Sequence, residues 1–145
     1  MRKLDGGLEV DDGRERIDPA EVHRYLSEES YWGRGRSRET QDRLIREAER
    51  VVGVYDGERQ VGFCRAVTDG VTVVYLADVY VLPAYQGRGV GTELVREMIE
   101  NGPYAHRSWL LHTSDAHPLY RKLGFDQPGY KVLERRSTSQ ASDSG

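Results

Sequence analysis

Cysteine is almost absent from this sequence, whose 145 residues include only Cys64. A single cysteine cannot form an internal disulfide, and it lacks the second cysteine that a cysteine-based metal site requires. Both kinds of cross-linked framework are therefore excluded. Free cysteine is among the residues most often buried, and Cys64 lies between Phe63 and Arg65 in a β-rich run. We therefore expect Cys64 to pack in the core rather than to act as a nucleophile.

Long apolar runs are also missing. No stretch approaches the roughly 20 apolar residues that a membrane span requires, and residues 1–7 lack the apolar segment of a secretory signal peptide. We therefore expect no membrane partner and a cytoplasmic location. Hydrophobic residues make up 37% of the chain and charged residues 31%, which is ordinary for a globular protein. The length suits one domain with a single core.

An excess of positive charge is lacking too, since 21 Lys and Arg face 24 Asp and Glu and give a net charge of −3. Proteins that bind nucleic acid generally carry a basic excess, so no nucleic-acid partner is predicted. One local cluster contains Arg34, Arg36 and Arg38, but Glu39 and Glu47 follow it closely. This mixture of signs favours a solvated charged face.

Helix signals dominate the first third of the chain, and β-rich runs follow. Asp18, Pro19 and Glu21 together form a helix start, with a capping residue, a proline at the first helical position and a glutamate three residues after the cap. The predicted elements are a weak strand near 7–10, helices from 18 and over 37–50, strands over 51–55, 60–67 and 71–82, a helix after residue 91, a strand over 109–112, a helix over 115–123 and a last strand over 125–133.

This order predicts a single α/β (α+β) domain over residues 1–134, with one mixed, mostly antiparallel sheet flanked by about four helices. Its centre is an antiparallel meander over 51–82, in which Asp56, Gly57 and Glu58 form a hairpin turn. Residues 135–145 contain no apolar side chain larger than alanine. They are therefore predicted to form a disordered tail.

Three glycines, Gly87, Gly89 and Gly91, stand where the last strand of the meander gives way to a helix. A tight glycine turn there exposes backbone N–H groups at the helix N-terminus, where the helix dipole favours negative charge. Such a turn binds phosphate, although glycines also serve turns without a ligand. Two known phosphate motifs fit badly: the P-loop lacks its Gly-Lys-Ser/Thr ending, and the dinucleotide fingerprint needs a glycine in place of Thr92 or Leu94.

Residues 86–91, Gln-Gly-Arg-Gly-Val-Gly, resemble the pyrophosphate loop of the GNAT superfamily of N-acetyltransferases, whose signature is Gln/Arg-x-x-Gly-x-Gly/Ala. Residues 78–83, Asp-Val-Tyr-Val-Leu-Pro, look like the superfamily's strand before that loop. Residues 119–125, Leu-Tyr-Arg-Lys-Leu-Gly-Phe, look like its later helix-to-strand segment. The resemblance covers 51–126 well and the N-terminal third only in element order. It implies a GNAT fold in which two middle strands, here near 76–82 and 108–112, splay apart.

The resemblance also implies acetyl-CoA as co-substrate. The backbone N–H groups of the turn would hold its pyrophosphate, Gln86 would shape the turn, Arg88 would add charge, and the pantetheine arm would pair with the freed strand edge. The cofactor-binding residues implied in this way are Val81, Leu82, Gln86, Gly87, Arg88, Gly89, Val90, Gly91 and Thr92.

Acetyl transfer needs a neutral amine and a departing thiolate that is protonated or otherwise stabilised. The resemblance places Tyr120 at the superfamily's general-acid position. For the base, Asp78 is a candidate because an acid in an apolar strand needs a reason to be there; a structural carboxylate and a water-mediated path are the alternatives. The glutamate that the superfamily often has three positions upstream is Tyr75 here. His112 and His117 could also relay a proton. Neither histidine is accompanied by other metal-ligating residues in the sequence, so no metal is predicted.

The acceptor pocket is implied only loosely. Tyr31 and Trp32, in the loop between the first helices, and Tyr80, in the strand, are assigned to it; core packing explains the loop aromatics equally well. The leading hypothesis is acetylation of a primary amine on a small molecule. The alternatives are acetylation of protein lysines or N-termini and a non-catalytic acyl-CoA-binding regulatory module. A homodimer could form through the strand edge near 125–133.

Overall fold

The computed structural model describes residues 1–29, 35–113 and 117–137. Within them the chain forms one six-stranded sheet whose strands lie in chain order. The strands are β1 (Arg2–Lys3), β2 (Leu8–Asp11), β3 (Arg50–Asp56), β4 (Arg59–Thr68), β5 (Val73–Val81) and β6 (Ser108–Leu110). All neighbours pair antiparallel except β5 and β6, which pair parallel. The predicted mixed, mostly antiparallel sheet is confirmed.

The centre of the sheet is the predicted meander of β3, β4 and β5. The hairpin between β3 and β4 closes where Asp56 pairs with Arg59. Gly57 in that turn has a φ of 61°, a conformation that glycine adopts without the strain a side chain would cause. The turn signal in the sequence therefore located the first corner of the meander correctly.

Four helices flank the sheet in the described part of the chain: α1 (Pro19–Glu29), α2 (Arg38–Glu47), α3 (Val90–Glu100) and α4 (His117–Lys122). Local sequence sets the first two starts. The N–H of Glu21 donates to Asp18 Oδ1 (3.2 Å), and the N–H of Thr40 donates to Ser37 Oγ (3.0 Å). Each bond satisfies an N–H that the first turn of a helix leaves without a helical acceptor. None of these helices is long and apolar enough to cross a bilayer.

The helices cover two faces of the sheet. Arg50 of β3 donates to carbonyl oxygens near the end of α3 (2.9 and 2.8 Å), so α3 covers its face. Arg50 pairs with Ala66, and successive strand residues point to opposite faces. Arg65 therefore points to the other face, where it shares the carboxylate of Asp78 with Arg36, the residue two positions before α2.

Cys64 is fully buried in the core. Burial raises the pKa of its thiol far above the ordinary value, because the charged thiolate is disfavoured away from water. A thiol that stays protonated is a poor nucleophile. This agrees with the packing role expected for Cys64.

The strands β5 and β6 separate after a short contact. Only Val73, Val74 and Tyr75 pair with β6, and the last of these pairs joins Tyr75 to Leu110. In the described residues β6 ends there, whereas β5 continues to Val81. The expected splay is present, and the second half of β5 offers unpaired backbone groups to an extended ligand.

The predicted last strand over residues 125–133 is wrong, because the structure has no strand in that segment. Its composition favours a strand, but Pro128 has no N–H to donate to a sheet. Tyr130, Val132 and Leu133 are exposed, Leu133 to 90%. The dimer contact expected here remains a prediction. Of the expected tail, residues 135–137 are exposed without regular structure, and 138–145 lie outside the described residues.

Candidate active site

The glycine turn, residues 86–89, joins the end of β5 to α3 through the 3-10 turn Pro83–Tyr85. Gly87 and Gly89 both have a φ of 77°, which a residue with a side chain adopts only at a cost. A Cβ built on either glycine would meet nothing within 4 Å. Glycine is therefore needed for the backbone conformation, and the space beside the turn is open.

The start of α3 presents free N–H groups to that open space. The first bond of the helix runs from the N–H of Glu93 to the carbonyl of Gly89 (3.1 Å), so the N–H groups of Val90, Gly91 and Thr92 have no acceptor within the helix. The helix dipole favours an anion at this end. Arg88, which is exposed, adds a positive charge. Consecutive amides, a positive-φ turn and a guanidinium together fit a diphosphate group.

Gln86 ties the turn to the end of β5, since its Nε2 donates to the carbonyl of Val81 (2.8 Å). Leu82 is already engaged: its N–H donates to Val61 (2.8 Å) and its carbonyl accepts from Tyr85 (2.9 Å). A backbone contact of Leu82 with a cofactor would therefore compete with these two hydrogen bonds. Backbone groups alternate between the two edges of a strand, so the N–H of Val81 faces the unpaired edge. Of the two residues, Val81 is therefore the better placed to bind a cofactor through its backbone.

Gly91 serves a different purpose from the other two glycines. A Cβ there would lie 3.0 Å from Cδ1 of Leu119 and 3.8 Å from Cγ2 of Val81. The first distance is tighter than ordinary packing allows. Gly91 therefore lets α4 lie close against the start of α3 and the end of β5, which brings the helix that carries Tyr120 to the turn.

Asp78 is buried in an ion-paired cluster. Its Oδ2 accepts hydrogen bonds from both Arg36 (2.8 Å) and Arg65 (2.7 Å). Burial raises the pKa of Asp78, but the charges and hydrogen bonds of Arg65 and Arg36 outweigh it, so the net pKa lies below the ordinary value of 3.8. A carboxylate stabilised in this way is a weak proton acceptor. The geometry favours the structural alternative for Asp78 over the general base.

The prediction of a solvated face for the arginine cluster is wrong for Arg36, whose side chain is 3% exposed. It also donates to Oε1 of Gln41 (3.2 Å). Its acidic partner is 42 positions away, so local charge patterning could not reveal it. Arg38 does lie on an exposed face, where it pairs with Asp42 (2.7 Å). Arg34 lies outside the described residues.

Tyr80, assigned to the acceptor pocket, is enclosed by other residues. Its ring stacks on Tyr25 of α1 with centroids 4.2 Å apart, and its hydroxyl accepts from Nε2 of Gln60 (3.2 Å). Burial raises the pKa of Tyr80, so the phenol stays neutral. At 4% exposure this side chain presents no surface to an acceptor. Tyr31 and Trp32 lie outside the described residues.

Tyr120 lies in a wall of a groove between β6, α4 and the segment that follows α4. The groove has a volume of about 950 Å³, and Tyr75 and His112 also line it. The ring of Tyr120 meets Phe125 edge to face, with centroids 5.7 Å apart. The expected general acid thus borders a cavity beside the point where β5 and β6 separate.

A mixed sheet that opens between two strands beside a phosphate-type turn is the arrangement that the resemblance to the GNAT superfamily implies. The family model for the acetyltransferase (GNAT) family matches residues 16–125. The chain belongs to this family.

Solved structures agree. A Xanthomonas campestris protein belonging to the GNAT family superimposes with a TM-score of 0.83 at 32% identity, over 90% of this chain and 93% of its own. A Deinococcus radiodurans protein superimposes with a TM-score of 0.71 at 21% identity, over 93% of this chain and 94% of its own. AAC(6′)-Iy, in complex with the bisubstrate analogue CoA-S-monomethyl-acetylneamine, superimposes with a TM-score of 0.62 at 15% identity, over 90% of this chain and 98% of its own. The last two likenesses show the fold alone.

Curated relatives match over shorter stretches. The chain is 31% identical over 104 residues to the N-alpha-acetyltransferase RimI of Mycobacterium tuberculosis, which is 65% of this chain and 66% of RimI. It is 43% identical over 68 residues to a Gibberella zeae protein named as a candidate acetyltransferase, which is 45% of this chain and 38% of that one. The chain thus spans less than two thirds of either relative.

Proposed function

We propose that this protein is an acetyl-CoA-dependent N-acetyltransferase that moves acetyl to a primary amine of a small molecule by direct attack. One observation carries the proposal: the positive-φ glycine turn opens onto the start of α3, immediately beside the unpaired half of β5. That juxtaposition suits a ligand with a diphosphate at one end and an extended, amide-containing arm at the other. Membership of the GNAT family supports acetyl-CoA as that ligand.

The cofactor would be held by backbone groups more than by side chains. N–H groups within residues 87–92 would bind the pyrophosphate, and Arg88 would add charge. The N–H of Val81 would pair with the pantetheine arm along the free edge of β5. When bound, acetyl-CoA supplies an activated acetyl thioester. A backbone N–H on the same edge would stabilise the negative charge that develops on the acetyl oxygen.

Tyr120 would complete the transfer by donating its phenolic proton to the departing sulfur. Its helix is brought to the turn by the close packing at Gly91, and its side chain borders the groove at the strand opening. Asp78 has no part in the proton transfers of this scheme, because two arginines already hold its charge.

Replacement of Tyr120 by Phe is expected to lower turnover about ten- to a thousandfold, the usual range of general-acid effects. The ring packing on Phe125 would remain, so the affinity for acetyl-CoA should not change. Steady-state release of CoA and calorimetric binding would measure the two quantities, with Tyr104→Phe as the matched control. Turnover equal to wild type would remove Tyr120 from the mechanism.

A second acceptor class, protein N-termini or lysines, has an observation in its favour, namely the likeness to an N-alpha-acetyltransferase. A panel of small primary amines and a parallel panel of peptides with free N-termini or lysines would separate the two classes by CoA release and product mass. Turnover of small amines supports the proposal. Turnover confined to peptides would overturn the small-molecule acceptor in favour of a peptide acceptor. Tight acetyl-CoA binding without any turnover would indicate a regulatory module.

A further inference from the structure

Tyr75 and His112 form a hydrogen-bonded pair where the two middle strands separate. The hydroxyl of Tyr75 lies 3.1 Å from Nδ1 of His112, and the two rings meet edge to face with centroids 5.3 Å apart. Tyr75 is the last residue of β5 that pairs with β6, and His112 follows β6 by two residues. The pair thus stands at the inner end of the opening between the strands.

This pair shares its groove with Tyr120. The charged residues that line the same groove are Arg107, Arg121, Asp126 and Glu134. His112 is exposed, so its ring can exchange protons with water. The groove therefore places one side chain that can deliver a proton to sulfur beside a pair that can take one from nitrogen.

The surroundings of Tyr75 keep its phenol neutral. Burial raises the pKa of Tyr75 and the charge of Asp78 raises it further, while Arg65 and Arg36 act in the opposite direction with less effect. Tyr75 is therefore not a phenolate base. A neutral phenol can still accept a proton on its oxygen while passing its own proton to a neighbour.

We propose that Tyr75 and His112 together deprotonate the acceptor amine of the acetyl transfer, a role that rests on the proposed function. An N–H bond of the acceptor ammonium breaks and an O–H bond forms at Tyr75, while the original O–H bond of Tyr75 breaks and an N–H bond forms at Nδ1 of His112. The products are a neutral amine and an imidazolium, so charge and protons balance. The exposed imidazolium then returns its proton to water.

Two variants distinguish the loss of proton transfer from a loss of side-chain packing. Tyr75→Phe keeps the ring and removes the hydroxyl, and His112→Gln keeps a hydrogen-bond acceptor that cannot take up a proton. We expect each to lower kcat/KM for the amine about a hundredfold at pH 7 and to leave acetyl-CoA binding unchanged. His106→Gln, an exposed histidine just before β6, is the matched control and should behave as wild type.

The pH profile separates a relay from a structural role. The loss in each variant should shrink as the pH rises toward the pKa of an alkyl amine, about 10, because the amine then loses its proton without help. A loss that is constant across pH, or variants equal to wild type while wild type turns over normally, would overturn the relay and leave the proposed function intact. Wild type that binds acetyl-CoA but acetylates no amine would overturn both.

A measurement without catalysis gives a further check. In the relay, Nδ1 of His112 accepts from Tyr75 and the neutral ring carries its proton on Nε2. Nitrogen-15 NMR of the wild type should show that tautomer for His112, and Tyr75→Phe should shift the population away from it. An Nδ1-protonated ring in the wild type would contradict the direction of transfer.

Discussion

Gly89→Glu is expected to abolish acetyl-CoA binding, with a fall in affinity of at least about a hundredfold. Gly89 has a φ of 77° and is the N-cap of α3. Any side chain there costs about 1–3 kcal/mol in backbone strain. A carboxylate there also faces the N–H groups that would hold the pyrophosphate, so it competes for them and repels the phosphates. Calorimetric titration with acetyl-CoA would measure the loss.

The control for that variant separates strain from charge at the site. Gly70 has a φ of 81°, and a Cβ there would also meet nothing within 4 Å. It lies in the turn between β4 and β5, at the opposite end of β5 from the glycine turn. Gly70→Glu should cost similar stability and leave acetyl-CoA affinity unchanged. Normal affinity in Gly89→Glu would refute the assignment of the turn as the phosphate site.

Asp78→Asn is expected to destabilise the fold by about 3–5 kcal/mol, the range for removing one partner of a buried ion pair. One carboxylate holds two arginines, and all three side chains are less than one tenth exposed. The substitution leaves both cations buried without a counter-charge. Asparagine is the right replacement because Asp78 has a φ of 57°, which asparagine tolerates better than most residues. Urea unfolding would measure the change.

An Asp→Asn substitution in an exposed ion pair is the control for the stability measurement on Asp78→Asn. Asp42→Asn removes the partner of Arg38 on the surface of α2, where ion pairs contribute about 0–1 kcal/mol. Equal, small losses of unfolding free energy in Asp78→Asn and Asp42→Asn would contradict a stabilising role for the buried cluster. Full-length, folded Asp78→Asn that binds acetyl-CoA but has lost more turnover than Tyr75→Phe would restore Asp78 as a base.

The contribution of Asp78 to stability has a defined pH dependence. Its pKa in the folded protein lies below the ordinary 3.8, so the stabilisation is fully present above that value and is lost as pH falls through the folded pKa. The gap in unfolding free energy between wild type and Asp78→Asn should therefore narrow between about pH 5 and pH 2. A gap that stays constant over this range would show that Asp78 is not ionised in the cluster.

The glycine turn and the first helices could be predicted because their signals are local. Glycine at Gly87 and Gly89 reports a backbone conformation, and Asp18 and Ser37 stand directly before the helices that they cap. Such features depend on a few consecutive residues. The meander of β3, β4 and β5 could be predicted for the same reason, since short turns join its strands.

The rest of the site depends on residues distant in the sequence. Arg36 and Asp78 are 42 positions apart, and Tyr75 and His112 are 37 apart, so no local pattern joins them. In the sequence, Tyr75 stands out only because the superfamily often has a glutamate at this position. The predicted strand over residues 125–133 was wrong for a related reason. A segment with strand-forming composition becomes a strand only where it can pair with a neighbouring strand, and Pro128 disfavours that pairing.

The proposed function depends above all on binding of the acetyl-CoA pyrophosphate by the turn before α3. Calorimetric titration of the wild-type protein with acetyl-CoA, with CoA and ATP as comparison ligands, would test this binding. We expect saturable binding of acetyl-CoA and CoA at one site, and no displacement by ATP. Absence of binding, or displacement of acetyl-CoA by ATP at similar concentration, would contradict it.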